Sequence, residues 1–232
     1  MNLFCIPFSG GNAYSYSAFQ KQLPGNIRFF NLELPGHGTR ITEPLLYSID
    51  EMTEDLFRQI EPELNGEYAL FGHSLGALLA FTLTREIRSL GKPLPSLLFV
   101  SGQTAPSSVK PDNRYLLPDD QFIEILREME GTPEELLAEK EFLDFYLPIV
   151  KADFQAIANY RYRYEPPLEV PVVVLLGRQE KVSADDAGRW QEETIKETEV
   201  FWFEGGHFFI YERTPEICKL IRERCLSFVK HD

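Results

Sequence analysis

Short apolar runs recur along the chain, and helical patterns fill the intervals between them. Strand-like runs fall at Leu3 to Phe8, Ile27 to Leu34, Tyr68 to Phe71, Ser96 to Ser101, Val170 to Leu176 and Glu199 to Phe203. Ser48 to Leu64 reads as a helix whose Ser48 and Glu51 have capping-box spacing, and Ala77 to Leu90 as a second. A closing helix is predicted from Thr214 to Val229, with Pro215 in its first turn. Strands separated by helices predict a mostly parallel sheet covered on both faces, with chemistry gathered at the carboxyl ends of its strands.

The alternation stops over residues 103–167, where helical patterns continue and no convincing strand appears. Phe122, Ile125, Leu126 and Met129 follow i, i+3, i+4, i+7 spacing; Thr132-Pro133-Glu134-Glu135 opens another helix; and Glu141 to Tyr160 predicts a third, broken near Pro148. One crossover needs only about a dozen residues, so this stretch reads as an all-helical lid inserted into a single domain spanning residues 1–232. Its aromatics, Phe142, Phe145, Tyr146 and Phe154, are candidates for lid packing and for control of substrate entry.

Composition narrows the function. The chain has 232 residues, 44% of them hydrophobic, and a net charge of −13, so a full core is available without disulfides or metal. An acidic surface disfavours nucleic acid and anionic membrane, both of which are bound through Lys and Arg. Cys5, Cys218 and Cys225 lack C-x-x-C spacing and are expected to be buried thiols in a reducing compartment. The segment Met1 to Gly11 has no basic flank and too short an apolar run for a signal peptide or a membrane span, so the expected location is cytoplasmic. Without H-E-x-x-H, a Walker loop or G-x-G-x-x-G opening a helix, neither a metal nor a cofactor is expected.

The sharpest chemical signal is Gly72-His73-Ser74-Leu75-Gly76, a G-x-S-x-G that follows an apolar strand and opens a helix. In that context Ser74 reads as a nucleophile on a tight elbow. A serine needs a base. Among four histidines, His231 is next to last, His73 abuts the nucleophile and His37 follows the second strand in a loop. His207, in Gly205-Gly206-His207, lies after the last strand and completes the chain order Ser, acid, His. The acid should follow the Val170 to Leu176 strand, where Glu180, Asp185 and Asp186 are available. Ser183 with Asp186 reads as a helix cap, and Asp185 falls in the same first turn, so Glu180 receives the acid role. Oxyanion donors are expected from the backbone N–H of Leu75 and from the Pro7-Phe8-Ser9-Gly10-Gly11 loop, with Ser9 preferred over Phe8.

Taken together these segments resemble the type II thioesterases, stand-alone editing hydrolases of nonribosomal peptide and polyketide assembly lines with an α/β-hydrolase fold. Pro7-Phe8-Ser9-Gly10-Gly11 is similar to that family's P-x-A-G-G, and Pro35-Gly36-His37-Gly38-Thr39-Arg40 to its P-G-R-G-x-R. The elbow follows, then Leu117-Pro118-Asp119-Asp120-Gln121-Phe122, Gly131-Thr132-Pro133-Glu134-Glu135-Leu136 and Gly205-Gly206-His207. The resemblance implies Ser74 as nucleophile, His207 as base, and Glu180 where the family has Asp, a departure of one methylene. It implies hydrolysis of acyl or aminoacyl groups from the phosphopantetheine arm of an acyl or peptidyl carrier protein, through an acyl-Ser intermediate. Two rivals are a small-molecule carboxylesterase using the same residues and a non-catalytic hydrolase-fold binding protein. Carrier proteins are usually acidic too, so a monomer at −13 is expected to dock weakly and transiently through local contacts, Arg161 and Arg163 being candidates.

Overall fold

A computed structural model describes residues 1–229; His231 lies outside them. Six strands form one sheet in the order β2-β1-β3-β4-β5-β6, with every neighbouring pair parallel. They are β1 (Asn2–Ile6), β2 (Arg28–Asn31), β3 (Tyr68–His73), β4 (Leu97–Ser101), β5 (Val172–Gly177) and β6 (Thr198–Phe203). The helices are α1 (Ser17–Gln22), α2 (Ile49–Ile60), α3 (Leu75–Ser89), α4 (Asp119–Met129), α5 (Glu134–Leu137), α6 (Lys140–Asn159), α7 (Ala184–Gly188), α8 (Phe209–Glu212) and α9 (Thr214–Val229). The second strand is shorter than the apolar pattern predicts. Leu32 still donates its N–H to the Cys5 carbonyl at 2.9 Å, but the chain then leaves the ladder to turn through Pro35 and Gly36, so the burial of Leu34 comes from packing rather than pairing.

The pleat divides the core. Leu3 and Cys5 of β1, Ala69 and Phe71 of β3, and Val173 and Leu175 of β5 face α1 and α9, where they meet Phe19, Ile217 and Ile221. Their neighbours Phe4, Ile6, Leu70 and Val174 face the opposite way, onto Met52, Leu56, Leu78 and Phe81 of α2 and α3. Side chains alternate across a strand, so continuous apolar runs cover both faces. All three thiols are buried and free. No described helix is long and apolar enough to cross a membrane.

Between β4 and β5 the chain forms α4, α5 and α6, which carry a small core of their own: Phe122, Leu126, Leu137, Leu147, Val150 and Phe154. The break expected at Pro148 does not occur, and α6 runs through it. An internal proline costs about 3 kcal/mol, whereas a buried Leu, Val or Phe contributes about 1.5–3 kcal/mol each. Leu147, Val150 and Phe154 flank the proline and enter one cluster, so packing outweighs the lost hydrogen bond.

Candidate active site

Ser74 lies between β3 and α3 with φ 55° and ψ −118°. A serine in this region stores about 1–3 kcal/mol of backbone strain. The flanking residues make the turn possible. A Cβ on Gly72 would lie 2.0 Å from the Gly76 carbonyl oxygen, and one on Gly76 would lie 2.3 Å from the Ile6 carbonyl oxygen. The Ser74 N–H donates to the Ser101 carbonyl at 2.8 Å, which ties the elbow to the end of β4.

The loops after β5 and β6 approach each other closely, a Cβ on Gly177 falling 2.5 Å from the Gly206 carbonyl oxygen. This brings Glu180 to His207. Glu180 Oε1 lies 2.7 Å from His207 Nδ1, and Glu180 Oε2 accepts the Gly177 N–H at 2.7 Å. Both carboxylate oxygens are thus used, and the side chain is 6% exposed against 21% for His207. In the neutral ring with Nδ1–H donating to the carboxylate, the lone pair lies on Nε2. That nitrogen is buried and has no hydrogen-bond partner. The longer Glu side chain fits because its carboxylate folds back onto the N–H that opens its own turn.

Asp185 and Asp186 take no part in this contact. Ser183 and Asp186 form a reciprocal capping box at the start of α7, and the Ser183 hydrogen bonds hold the Asp186 carboxyl below the usual range. His73 is fully buried, its Nδ1 lies 3.0 Å from Ser101 Oγ, and its ring centroid is 4.8 Å from that of His207. Burial first, then the neighbouring His207, pushes its pKa well below the ordinary histidine value, so His73 is a neutral packing partner for the second ring.

The Pro7–Gly11 loop turns at Gly10, φ 72°, and closes with the Gly11 N–H on the Phe8 carbonyl at 2.8 Å. Among the described residues, the backbone N–H groups of Ser9 and Leu75 donate to no other group. Ser9 and Ser74 share a pocket with Phe8, Phe208 and residues of the insertion, among them Leu126, Tyr146 and Phe154. Its volume is about 20 Å³, room for about one water and not for an acyl chain. Of the aromatics noted in the sequence, Phe142 stacks on Tyr146 at 4.8 Å, while Phe145 is exposed. Arg161 donates to the carbonyls of Ala158 and Tyr160, and Arg163 is exposed near Asp50.

Two residues near the site escaped sequence reading. Phe208 follows the candidate base and walls the pocket. Asp153 is buried in α6, 2.7 Å from the Gly10 N–H and 3.1 Å from His37 Nε2. A lone acid inside the apolar stretch Leu147 to Ala158 was the only available signal.

Comparison with known proteins shows the family. The family model "Thioesterase domain" matches residues 1–225. Gramicidin S biosynthesis protein GrsT of Aneurinibacillus migulanus is 36% identical over 228 residues, covering 96% of this chain and 89% of its own. Thioesterase PikA5 of Streptomyces venezuelae is 32% identical, covering 97% of this chain and 81% of its own. Among solved structures, ClbQ from the colibactin NRPS/PKS pathway matches at TM-score 0.92 with 31% identity, covering 97% of both chains. The type II thioesterase BorB from the borrelidin biosynthetic cluster matches at TM-score 0.89 with 33% identity, covering 97% of this chain and 92% of that one. With a parallel sheet, a serine elbow and a family match along nearly its whole length, the chain belongs to the thioesterase-domain family of α/β-hydrolases and is a hydrolase of thioesters.

Proposed function

We propose that the protein is a stand-alone editing thioesterase that removes acyl or aminoacyl groups from the phosphopantetheine arm of carrier proteins, with Ser74 as nucleophile, His207 as base and Glu180 as orienting acid. The observation that carries this reading is the 2.7 Å contact between Glu180 and His207 Nδ1, which leaves Nε2 unpaired and buried in a site whose serine is held on a strained elbow. His207 Nε2 takes the Ser74 proton as the oxygen attacks the thioester carbonyl. The Ser9 and Leu75 N–H groups receive the developing negative charge. His207 passes the Ser74 proton to the leaving thiolate, which needs little acid assistance because a thiol has a pKa of about 8.5, and the imidazole is neutral again. Water then attacks the acyl-Ser ester with His207 again as base, and collapse releases the carboxylic acid and Ser74.

Relatives named for gramicidin S, colibactin and borrelidin biosynthesis support the carrier-bound substrate. A pocket of about 20 Å³ roofed by α4 and α6 implies that these helices part before an acyl chain enters. The test offers the purified protein an acyl-carrier thioester, the matching acyl-CoA and a simple oxygen ester, with Ser74→Ala as control. Faster turnover of the carrier thioester, abolished by Ser74→Ala, is the expected result. Preference for the oxygen ester would instead identify a carboxylesterase, and no turnover of any substrate a binding protein.

A further inference from the structure

Asp153 is fully buried in the helical insertion, yet its carboxylate reaches two loops of the sheet domain. Oδ2 accepts the Gly10 N–H at 2.7 Å and faces His37 Nε2 at 3.1 Å. His37 Nδ1 is 3.0 Å from the Pro35 carbonyl oxygen, an acceptor only, so Nδ1 carries a proton. Nε2 faces a carboxylate oxygen that already accepts an amide proton. A protonated His37 donates from both ring nitrogens, and the pair is then a buried ion pair holding three segments together. The insertion also presses on this loop sterically, since a Cβ on Gly10 would fall 2.5 Å from Tyr146 Oη and 2.7 Å from Val150 Cγ2.

We propose that Asp153 is a positioning residue for the oxyanion loop: paired with the His37 cation, it pins the Gly10 N–H and so aims the adjacent Ser9 N–H, making oxyanion stabilisation depend on α6 being seated. The inference rests on the Ser74 mechanism above. Gly10 is the third residue of the Phe8–Gly11 turn, and its N–H has no partner within that turn, so the carboxylate is what fixes the peptide plane after Ser9. An unpaired carboxylate at full burial would be strongly unfavourable, and the His37 ring 3.1 Å away is the partner it meets. The titratable groups facing the pair are Tyr146 from α6 and Glu33 from the loop after β2. Glu33 is itself held by the N–H groups of Ala13 and Thr39. Burial pulls the His37 pKa down, but the Asp153 charge and hydrogen bond, the Pro35 carbonyl and Glu33 together raise it above the ordinary value. The clasp is therefore intact below about 6.5, the usual histidine value, and loosens as pH rises through the raised one.

The test compares wild type with Asp153→Asn, His37→Gln and His37→Arg on an acyl thioester, with folding checked by circular dichroism and Ser74→Ala alongside. Losing one oxyanion donor lowers kcat by about 10²–10³, so mis-aiming one should lower kcat by about 10–10² in Asp153→Asn, with KM nearly unchanged. Wild type should show a fall in kcat on the alkaline side. His37→Gln should sit at the lower level at every pH, and His37→Arg, a permanent cation, should restore kcat and abolish the alkaline fall. A folded Asp153→Asn with wild-type kcat overturns the proposal. If that variant does not fold, a His37→Gln with wild-type kcat and an unchanged alkaline limb overturns it equally. Residual turnover in Ser74→Ala would instead defeat the underlying mechanism, so the two failures are distinguishable.

Discussion

The pairing of Glu180 with His207 fixes one imidazole nitrogen as donor and leaves the other free to act as base. Glu180→Ala should lower kcat/KM by about 10³–10⁴, the loss typical of a triad acid. Asp185→Ala, which removes only a first-turn charge at the start of α7, should change it less than about twofold. Steady-state kinetics on both variants checks the assignment, and comparable losses would refute it. The neighbouring His73 sets a stability limit. Its pKa is well below the ordinary value in the folded state, so the unfolded chain takes up a proton that the folded chain refuses. Stability from this site is complete above about 6.5 and declines as pH falls below it, opposite in sign to the His37 contribution. Melting temperatures across that range should show an acid decline that His73→Gln reduces.

At the level of elements, the elbow works because two strands and a helix approach closer than any side chain permits. Gly72→Ala would place a Cβ 2.0 Å from a carbonyl oxygen, with backbone on both sides and no flexible atom to yield. The expected loss is more than about 4 kcal/mol, seen as failure to fold or as a collapsed denaturant midpoint. The insertion behaves differently because its core of Phe122, Leu126, Leu147 and Phe154 is its own. Leu126→Ala removes a buried side chain that also lines the Ser74 pocket. A core truncation of this kind costs about 2–5 kcal/mol. We expect faster amide exchange in α4 than in the sheet, together with a shift of acyl-length preference toward bulkier chains. Unchanged selectivity across chain lengths would count against the insertion as a gate.

For the whole molecule, the net charge of −13 sets the terms of association. Two acidic proteins repel at long range, and salt screens that repulsion over about 10 Å at 0.1 M. Turnover of a carrier thioester at subsaturating carrier should therefore rise, not fall, as salt increases from low values, while turnover of an uncharged thioester should stay level. A falling carrier rate would point to a basic docking patch outweighing the net charge.

How much of this could be read from the sequence depends on distance along the chain. The strands, Ser74 and the Gly205-Gly206-His207 loop were legible because each is encoded by near neighbours: apolar runs, a strand-turn-helix glycine pattern, a place after the last strand. Glu180 was legible because it follows a strand-end glycine by three positions, and Asp186 because its partner Ser183 is as close. Asp153 was not, since its partners Gly10 and His37 lie 143 and 116 residues away, and an acid on a helix otherwise reads as solvated surface. Pro148 was misread for the same reason, local propensity being overridden by burial on both sides of it. The sequence by itself determined the parallel sheet, the serine elbow and the candidate base, because those depend on spacing and periodicity. Only the tertiary structure decided how both Glu180 oxygens are held, one by His207 and one by the Gly177 N–H, that α6 is continuous, and that Asp153 and His37 meet beside the Pro7–Gly11 loop, because buried electrostatic pairing is fixed by where the packed elements bring distant residues together.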